Sequence, residues 1–185
     1  MSPANLTPSP AIAQLADADL TPIDEDLLAR TLEPYSAKGC RYLLDAAYRA
    51  TDDSVYAVGN FSIEESSYIR DTGHFNGAEL IICFNQLAYS AYAPAILKDE
   101  IEVLRGWSID DYFDEQLPSM LIKNTASRFR RPIHAQKFSA RLLSSGLRVV
   151  QRSVRYVSAP CVIEFWDDRG GSALAEIELA ALNTP

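Results

Sequence analysis

The chain of 185 residues holds only three cysteines and two histidines. Cys40, Cys83 and Cys161 are odd in number, far apart and set among apolar residues, a pattern of buried thiols and not of a disulfide framework or thiolate metal site. The sequence has no uninterrupted run of about 18 apolar residues to cross a bilayer. Its N-terminal stretch, MSPANLTPSPAIAQLADADLTPIDED, lacks the basic region and apolar core of an export signal. The expectation is a cytoplasmic protein with no membrane partner. Missing too are the Gly-x-Ser-x-Gly elbow, the phosphate-binding loop, the dinucleotide fingerprint and any cysteine pair, so serine-hydrolase, nucleotide and zinc chemistry have no sequence support. His74 and Glu79 can both ligate metals, but two ligands at that spacing do not specify a site. Neither a metal nor a resident cofactor is expected.

One further absence is local. Residues 116–163 contain no Asp or Glu, yet they carry nine basic residues: Lys123, Arg128, Arg130, Arg131, Lys137, Arg141, Arg148, Arg152 and Arg155. Against a net charge of −8 for the whole chain, this +9 segment leaves −17 for the remainder. Such a segment either offers a surface to an acidic partner or to phosphates, or forms solvated strand faces paired with acidic strands elsewhere. Nucleic acid is not an expected partner, because the chain is acidic overall and no nucleic-acid-binding motif accompanies the basic stretch.

What is present fits one domain, with 48% hydrophobic residues to build a core. Residues 1–21 are rich in Pro, Ala, Ser and Thr without periodicity and read as a flexible arm, leaving 22–185 as the domain. A short helix starts near Thr21 or Asp24 and is stopped by Pro34. The runs at 41–51 and 54–64 are strand-like and separated by Asp52 and Asp53, which predicts a hairpin. One long apolar helix is predicted over 76–93, with Pro94 ending it or lying in its last turn. A mixed acidic segment follows, then about five strands punctuated by Pro132, Ser145-Gly146, Pro160 and Gly170-Gly171. Two strands, a long buried helix and five more strands is an α+β order, and an antiparallel sheet wrapped round a central helix, the hot-dog fold, fits it.

The long helix carries polar residues that a plain core helix avoids. Glu79, Cys83, Gln86 and Ser90 fall on one stripe, while Ile82, Asn85, Tyr89 and Tyr92 fall on another. A seam facing a ligand tunnel or a subunit interface explains such a pattern; satisfaction of loop backbone is the plainer account of any one of them. At the front, Asn76 is placed to cap the helix, leaving the N–H groups of Gly77 to Glu79 and the positive end of the dipole to stabilise a developing oxyanion. His74 stands beside that point, with an ordinary pKa suited to proton transfer near neutrality.

GHFNGAELIICFNQLAY resembles the GHFP-to-helix region of hot-dog dehydratases. Together with LEPYSAKGCRYL, GNFSIEESSYIRDTGHFN, CFNQLAYSAYAPA, VLRGWSIDDYF, PCVIEFWDD and EIELAALN, it resembles the FcoT family of hot-dog proteins over almost all of the chain after about Ile23. That resemblance implies either a long-chain fatty acyl-CoA thioesterase or a (2E)-enoyl-ACP glycyltransferase of isonitrile lipopeptide biosynthesis. The latter adds glycine to C3 of the enoyl thioester and releases a (3R)-3-(carboxymethylamino) fatty acid. A non-catalytic acyl-binding module is the remaining alternative. The implied partners are glycine and an acyl carrier protein, whose phosphopantetheine arrives with the substrate, and the implied assembly is a homodimer or hexamer. Polar tunnel residues carried over by motif are Tyr35, Tyr68, Asn76, Asn85 and Tyr89. Asn85 stands where many hot-dog thioesterases have an acidic residue, and an amide orients and polarises without removing protons well.

For conjugate addition followed by hydrolysis, the Gly77 and Ala78 N–H groups with Asn76 or Asn85 are assigned to the carbonyl oxygen, and His74 or Glu79 to proton abstraction. Tyr35, Tyr68 and Tyr89 are assigned to orientation and protonation. Arg128, Arg130 and Arg70 are the candidates for a bidentate grip on the glycine carboxylate.

Overall fold

A computed structural model describes residues 19–70 and 72–185. The arm expected over 1–21 lies outside these, apart from its last three residues. Of those, Thr21 already belongs to a short strand, β1 (Thr21–Pro22), paired with Tyr48 and Ala47. Asp24 then caps helix α1 (Glu25–Thr31), accepting from the N–H groups of Asp26 and Leu27 at 3.1 and 3.2 Å. The chain departs from expectation at Pro34. Instead of stopping α1, this proline sits in the first turn of a second short helix, α2 (Glu33–Ser36), where its missing N–H costs nothing.

Strands β2 (Leu43–Thr51) and β3 (Ser54–Phe61) form the expected hairpin around Asp52 and Asp53. Helix α3 spans Gly77–Leu97, four residues beyond the predicted end, with Pro94 inside its last turn. By length and composition alone it is apolar enough to cross a membrane, but 78% of its most apolar window is buried within the protein. Leu80, Cys83, Phe84, Leu87, Ala88, Ala91 and Ala95 are essentially inaccessible, so this helix is what the sheet wraps. Gly59 on β3 permits the close approach: a Cβ there would meet Leu43 Cδ1 at 2.7 Å and Leu87 Cδ1 at 3.0 Å.

A 3₁₀ turn (Glu102–Leu104) and a short helix α4 (Ile109–Glu115) fill the mixed segment. After them come β4 (Met120–Arg131), β5 (Phe138–Ser145), β6 (Arg148–Gln151), β7 (Arg155–Trp166) and β8 (Ser172–Ala181). All neighbours are antiparallel, in the order β1-β2-β3-β5-β7-β8-β4, with β6 also pairing β7. This is the hot-dog arrangement. Two boundaries differ from the sequence reading. The run at 147–158 is divided at 152–154 between β6 and β7, and Pro160 lies inside β7 instead of preceding it. The proline is tolerated because Ala159 and Pro160 have ladder partners only on β8; the other side is the gap where β5 gives way to β6.

The entrance to α3 is fixed by Phe75. Its ring lies 4.7 Å from Phe138 and 4.8 Å from Phe165, and its N–H donates to Ile133 O at 3.0 Å. His74 bridges to His134 alongside. The GHFN segment is therefore pinned to the end of the sheet, and Asn76 is delivered to the first turn of the helix.

Candidate functional site

At the front of α3 a cleft of about 330 Å³ is lined by His74, Asn76, Gly77, Phe129, Arg130 and Arg131, among others. Asn76 caps the helix as expected, but this occupies the groups assigned to an oxyanion. Its Oδ1 accepts from Ala78 N at 3.0 Å and Glu79 N at 3.4 Å, and from the Tyr68 hydroxyl at 2.7 Å. Glu79 completes a capping box: its Oε2 accepts from Asn76 N at 3.1 Å and the residue is 3% exposed. The Ala78 N–H and one carboxylate oxygen of Glu79 are therefore engaged in the cap. Gly77 lines the cleft wall. His74 is exposed there, with Nδ1 3.1 Å from Thr72 O.

Of the arginines, Arg130 lines this cleft, whereas Arg128, opposite Leu174 on β4, does not; Arg70 is exposed on the 64–70 segment. Three of the nine basic residues are paired with nearby carboxylates, which bears out the plainer reading for those residues. Lys123 meets Glu178 at 2.8 Å, Arg141 meets Glu164 at 2.6 Å, and Lys137 meets Asp168 at 3.3 Å.

A second group lies further along α3, on the stripe that carries Asn85 and Tyr89. Nine residues separate Asn85 from Asn76, about 13.5 Å of helical rise, so the residues assigned from sequence form two clusters within one chain. The Asn85 side chain lies near the phenol of Tyr35 on α2 and favours its ionised form, while Asn85 Oδ1 is buried and has no partner among the described residues. Burial first, then the neighbouring Tyr89 and Cys40, push the Tyr35 pKa well above the ordinary tyrosine range, and the bond from Asn85 works against them. Burial raises Tyr89 too. Tyr35 is thus a neutral donor at any working pH.

On the other stripe of α3, Gln86 satisfies loop backbone, the plainer account of a polar residue there. Gln86 Oε1 accepts from the N–H groups of Tyr42 and Leu43 at 2.8 and 2.9 Å, and its Nε2 donates to Cys40 O at 2.7 Å. Cys40 N in turn donates to Tyr35 O at 3.0 Å. The loop after α2 is clamped to α3, and Tyr35 is held over Asn85. Gln86 was visible only as a polar residue on a buried stripe. Tyr112 stands in the VLRGWSIDDYF motif but was given no role there; its hydroxyl donates to Tyr89 O at 2.9 Å, inside the same cluster. The cysteines are free, Cys83 and Cys161 buried and Cys40 half-buried.

Residues 30–181 match the FcoT-like thioesterase domain, a span that holds both clusters. The chain belongs to the FcoT-like thioesterase family. Within reviewed relatives, it is 65% identical over all 185 residues to a protein of Mycobacterium tuberculosis (strain ATCC 25618 / H37Rv) and to one of Mycobacterium bovis, with 100% of each chain covered. It is 35% identical over 164 residues to a protein of Streptomyces coeruleorubidus, covering 88% of this chain and 99% of that one. All three are named (2E)-enoyl-ACP glycyltransferase. Solved structures similar to this FcoT-like chain include a putative thioesterase from Shewanella oneidensis (TM-score 0.46, 10% identity, 86% of this chain and 99% of that one). Another is the E. coli PaaI protein (TM-score 0.43, 12% identity, 84% and 92%).

Proposed function

We propose that this FcoT-like enzyme is a (2E)-enoyl-ACP glycyltransferase, as its relatives at 65% identity are named. The structural observation that carries the reading is the pairing of a buried, unpartnered acceptor, Asn85 Oδ1, with a neutral donor, the Tyr35 phenol. Conjugate addition needs both. The acceptor takes an N–H of the glycine amine, whose lone pair attacks C3; the electron pair of the double bond moves onto the thioester oxygen, which the phenol stabilises as an enolate. The proton lost from nitrogen balances the one gained at C2. Water then adds to the same carbonyl, the thiol leaves, and a (3R)-3-(carboxymethylamino) fatty acid is released, for isonitrile lipopeptide biosynthesis.

Arg130 beside the Gly77 N–H suits an anion entering the cleft, such as the phosphate of the pantetheine arm, and Arg128 and Arg70 remain candidates for the glycine carboxylate. His74 is exposed on that wall and is the favoured base, because one carboxylate oxygen of Glu79 is held in the capping box. The acyl carrier protein is the physiological donor and the cytoplasm the compartment. Among the described residues β4 is bonded only to β8, and its twelve residues are mostly exposed, with Leu121 and Phe129 among them. Such an edge calls for a partner strand, and pairing with a second copy gives a homodimer.

The family's description as a thioesterase favours plain acyl-thioester hydrolysis as the second reading. Incubation of enoyl-ACP with isotopically labelled glycine separates the two by mass spectrometry. Label in the released acid is expected; unlabelled acid at the same rate with and without glycine establishes the hydrolase instead.

A further inference from the structure

An acyl substrate needs an apolar lane with an end, and one face of α3 carries the residues that could line it. Ala78, Ile82, Asn85, Tyr89, Tyr92 and Ile96 follow at intervals of four and three residues and share one helix face. Their burial rises along it: Ala78 is exposed, Ile82 and Asn85 are half-buried, and Tyr89, Tyr92 and Ile96 are 5%, 2% and 4% exposed. Tyr92 and Ile96 face a nearly closed apolar seam with Leu104, Trp107, Met120 and Val157. Its open volume is about 10 Å³, less than an acyl chain needs and about what a single water requires.

Tyr112 stands between the polar cluster and this seam. It is fully buried, its hydroxyl is tied to Tyr89 O at 2.9 Å, and its ring meets Trp107 edge-on with centroids 6.2 Å apart while lining the seam. The helix that carries it is held in place: Arg30 on α1 pairs with Asp110 at 2.7 Å and stacks on Phe113 at 4.1 Å, and Gln116 Nε2 donates to Thr31 O at 3.1 Å. We propose that Tyr112 is the end stop of the acyl lane and sets the longest chain the enzyme accepts, a proposal that rests on the acyl-thioester reading above. The chain runs from the thioester at Tyr35 and Asn85 along Tyr89 and stops against the Tyr112 ring. Replacing the ring by a smaller side chain joins the lane to the seam behind it.

The test is binding of an even-carbon series of saturated acyl-pantetheine thioesters to the wild type, Tyr112→Phe, Tyr112→Leu and Tyr112→Ala, each checked for native size and melting. Wild-type affinity rises with chain length and then breaks. In Tyr112→Leu and Tyr112→Ala the break moves to longer chains, each additional methylene that enters tightening binding about fourfold. Tyr112→Phe, which loses the hydrogen bond but keeps the ring, retains the wild-type break. The Leu variant carries the test if the Ala variant does not fold. A break at unchanged length in a folded truncation, or a uniform loss at all lengths, overturns the proposal, as does a wild type that binds no member of the series. Glycine takes no part in this measurement. A shifted break in an enzyme that incorporates no labelled glycine keeps Tyr112 as the end stop and overturns glycyl transfer alone.

Discussion

Asn85 and Tyr35 form an unequal pair: the amide of one lowers the pKa of the phenol that burial raises, while Asn85 Oδ1 is left buried with no partner among the described residues. A buried acceptor without a partner costs stability, so the position is paid for by something other than folding. Asn85→Leu is therefore expected to lower kcat/KM by about 100- to 1000-fold, with a melting temperature equal to or above the wild type's. Asn85→Asp places a base where the amide stands and is expected to raise hydrolysis relative to glycine incorporation. Thermal melts and product ratios from labelled glycine check both variants.

The buried phenols give a pH dependence whose sign follows from burial. Burial raises Tyr92 and Tyr112 well above the ordinary value, and Tyr35 and Tyr89 move the same way. The unfolded chain ionises its tyrosines near the ordinary value of about 10 while the folded chain holds them protonated. Above that pH the unfolded state binds fewer protons, and stability falls. Denaturant midpoints are expected to be flat with respect to tyrosine titration below about pH 10. Above it they should fall by up to about 1.4 kcal/mol per pH unit for each of Tyr92 and Tyr112. An alkaline limb in kcat/KM near pH 10 that disappears in Tyr35→Phe would contradict the neutral-donor role of Tyr35.

The extent to which this was legible in the sequence follows from the range of each interaction. Asn76 and Glu79 are three residues apart, so the cap could be read from spacing, and so could the stripe that holds Asn85 and Tyr89. The β2–β3 hairpin was legible for the same reason. What spacing could not show was competition for the same atoms: the Ala78 N–H donates to the Asn76 cap, and the Glu79 carboxylate accepts from Asn76 N. Gln86 reaches back 46 residues to Cys40 O, and Tyr112 reaches 23 residues to Tyr89 O. Contacts of that kind depend on the fold. Pro160 misled for a related reason, since a proline breaks a strand only where both edges are paired, and the sequence does not say where β5 ends.

Asn76 serves as cap and as acceptor for Tyr68, and two substitutions separate these from any direct role in catalysis. Asn76→Ala removes the acceptor for Ala78 N and Glu79 N and is expected to cost about 1 kcal/mol. Asn76→Asp keeps an acceptor at the N-terminus of α3 and is expected to remain within about 0.5 kcal/mol of the wild type. If the side chain acts on the substrate only through the cap, Asn76→Asp retains kcat/KM as well. Urea titrations and initial rates on enoyl-ACP are the measurements.

Gln86 holds three backbone groups, so its loss is expected to be structural first and catalytic as a consequence. Gln86→Leu leaves Tyr42 N, Leu43 N and Cys40 O without the bonds they make. At about 1–3 kcal/mol for each buried group left unsatisfied, destabilisation of roughly 3–5 kcal/mol is expected, partly relieved by water entering the loop. Because Cys40 anchors Tyr35 O, the variant should also lose activity at temperatures where it remains folded. Full activity in a folded Gln86→Leu protein would detach the clamp from the site.

Asp167 controls the wall of the front cleft, and its effect should appear as acid sensitivity. Its Oδ2 accepts from His134 N at 2.7 Å, and its Oδ1 accepts from Arg169 N at 2.9 Å and Gly171 N at 2.7 Å. Burial by itself would raise the carboxyl, but these three N–H bonds together with the Arg169 charge bring it below its ordinary value. The folded state therefore favours the carboxylate: the stabilisation is fully present above the unfolded pKa of about 3.9 and is lost as pH falls through the lower folded value. Asp167→Asn keeps one accepting oxygen and is expected to lose about 1–3 kcal/mol near neutrality, with the gap from wild type closing as pH drops below about 4. Gly171 is locked into the same turn, since a Cβ there would lie 2.7 Å from Asp167 Oδ2 and 2.8 Å from Ile133 Cα. Gly171→Ala should accordingly destabilise at every pH without this convergence. Since His134 bridges to His74, and Pro132 lines the cleft, both variants should weaken carrier-protein turnover more than hydrolysis of a short pantetheine thioester that does not fill the cleft.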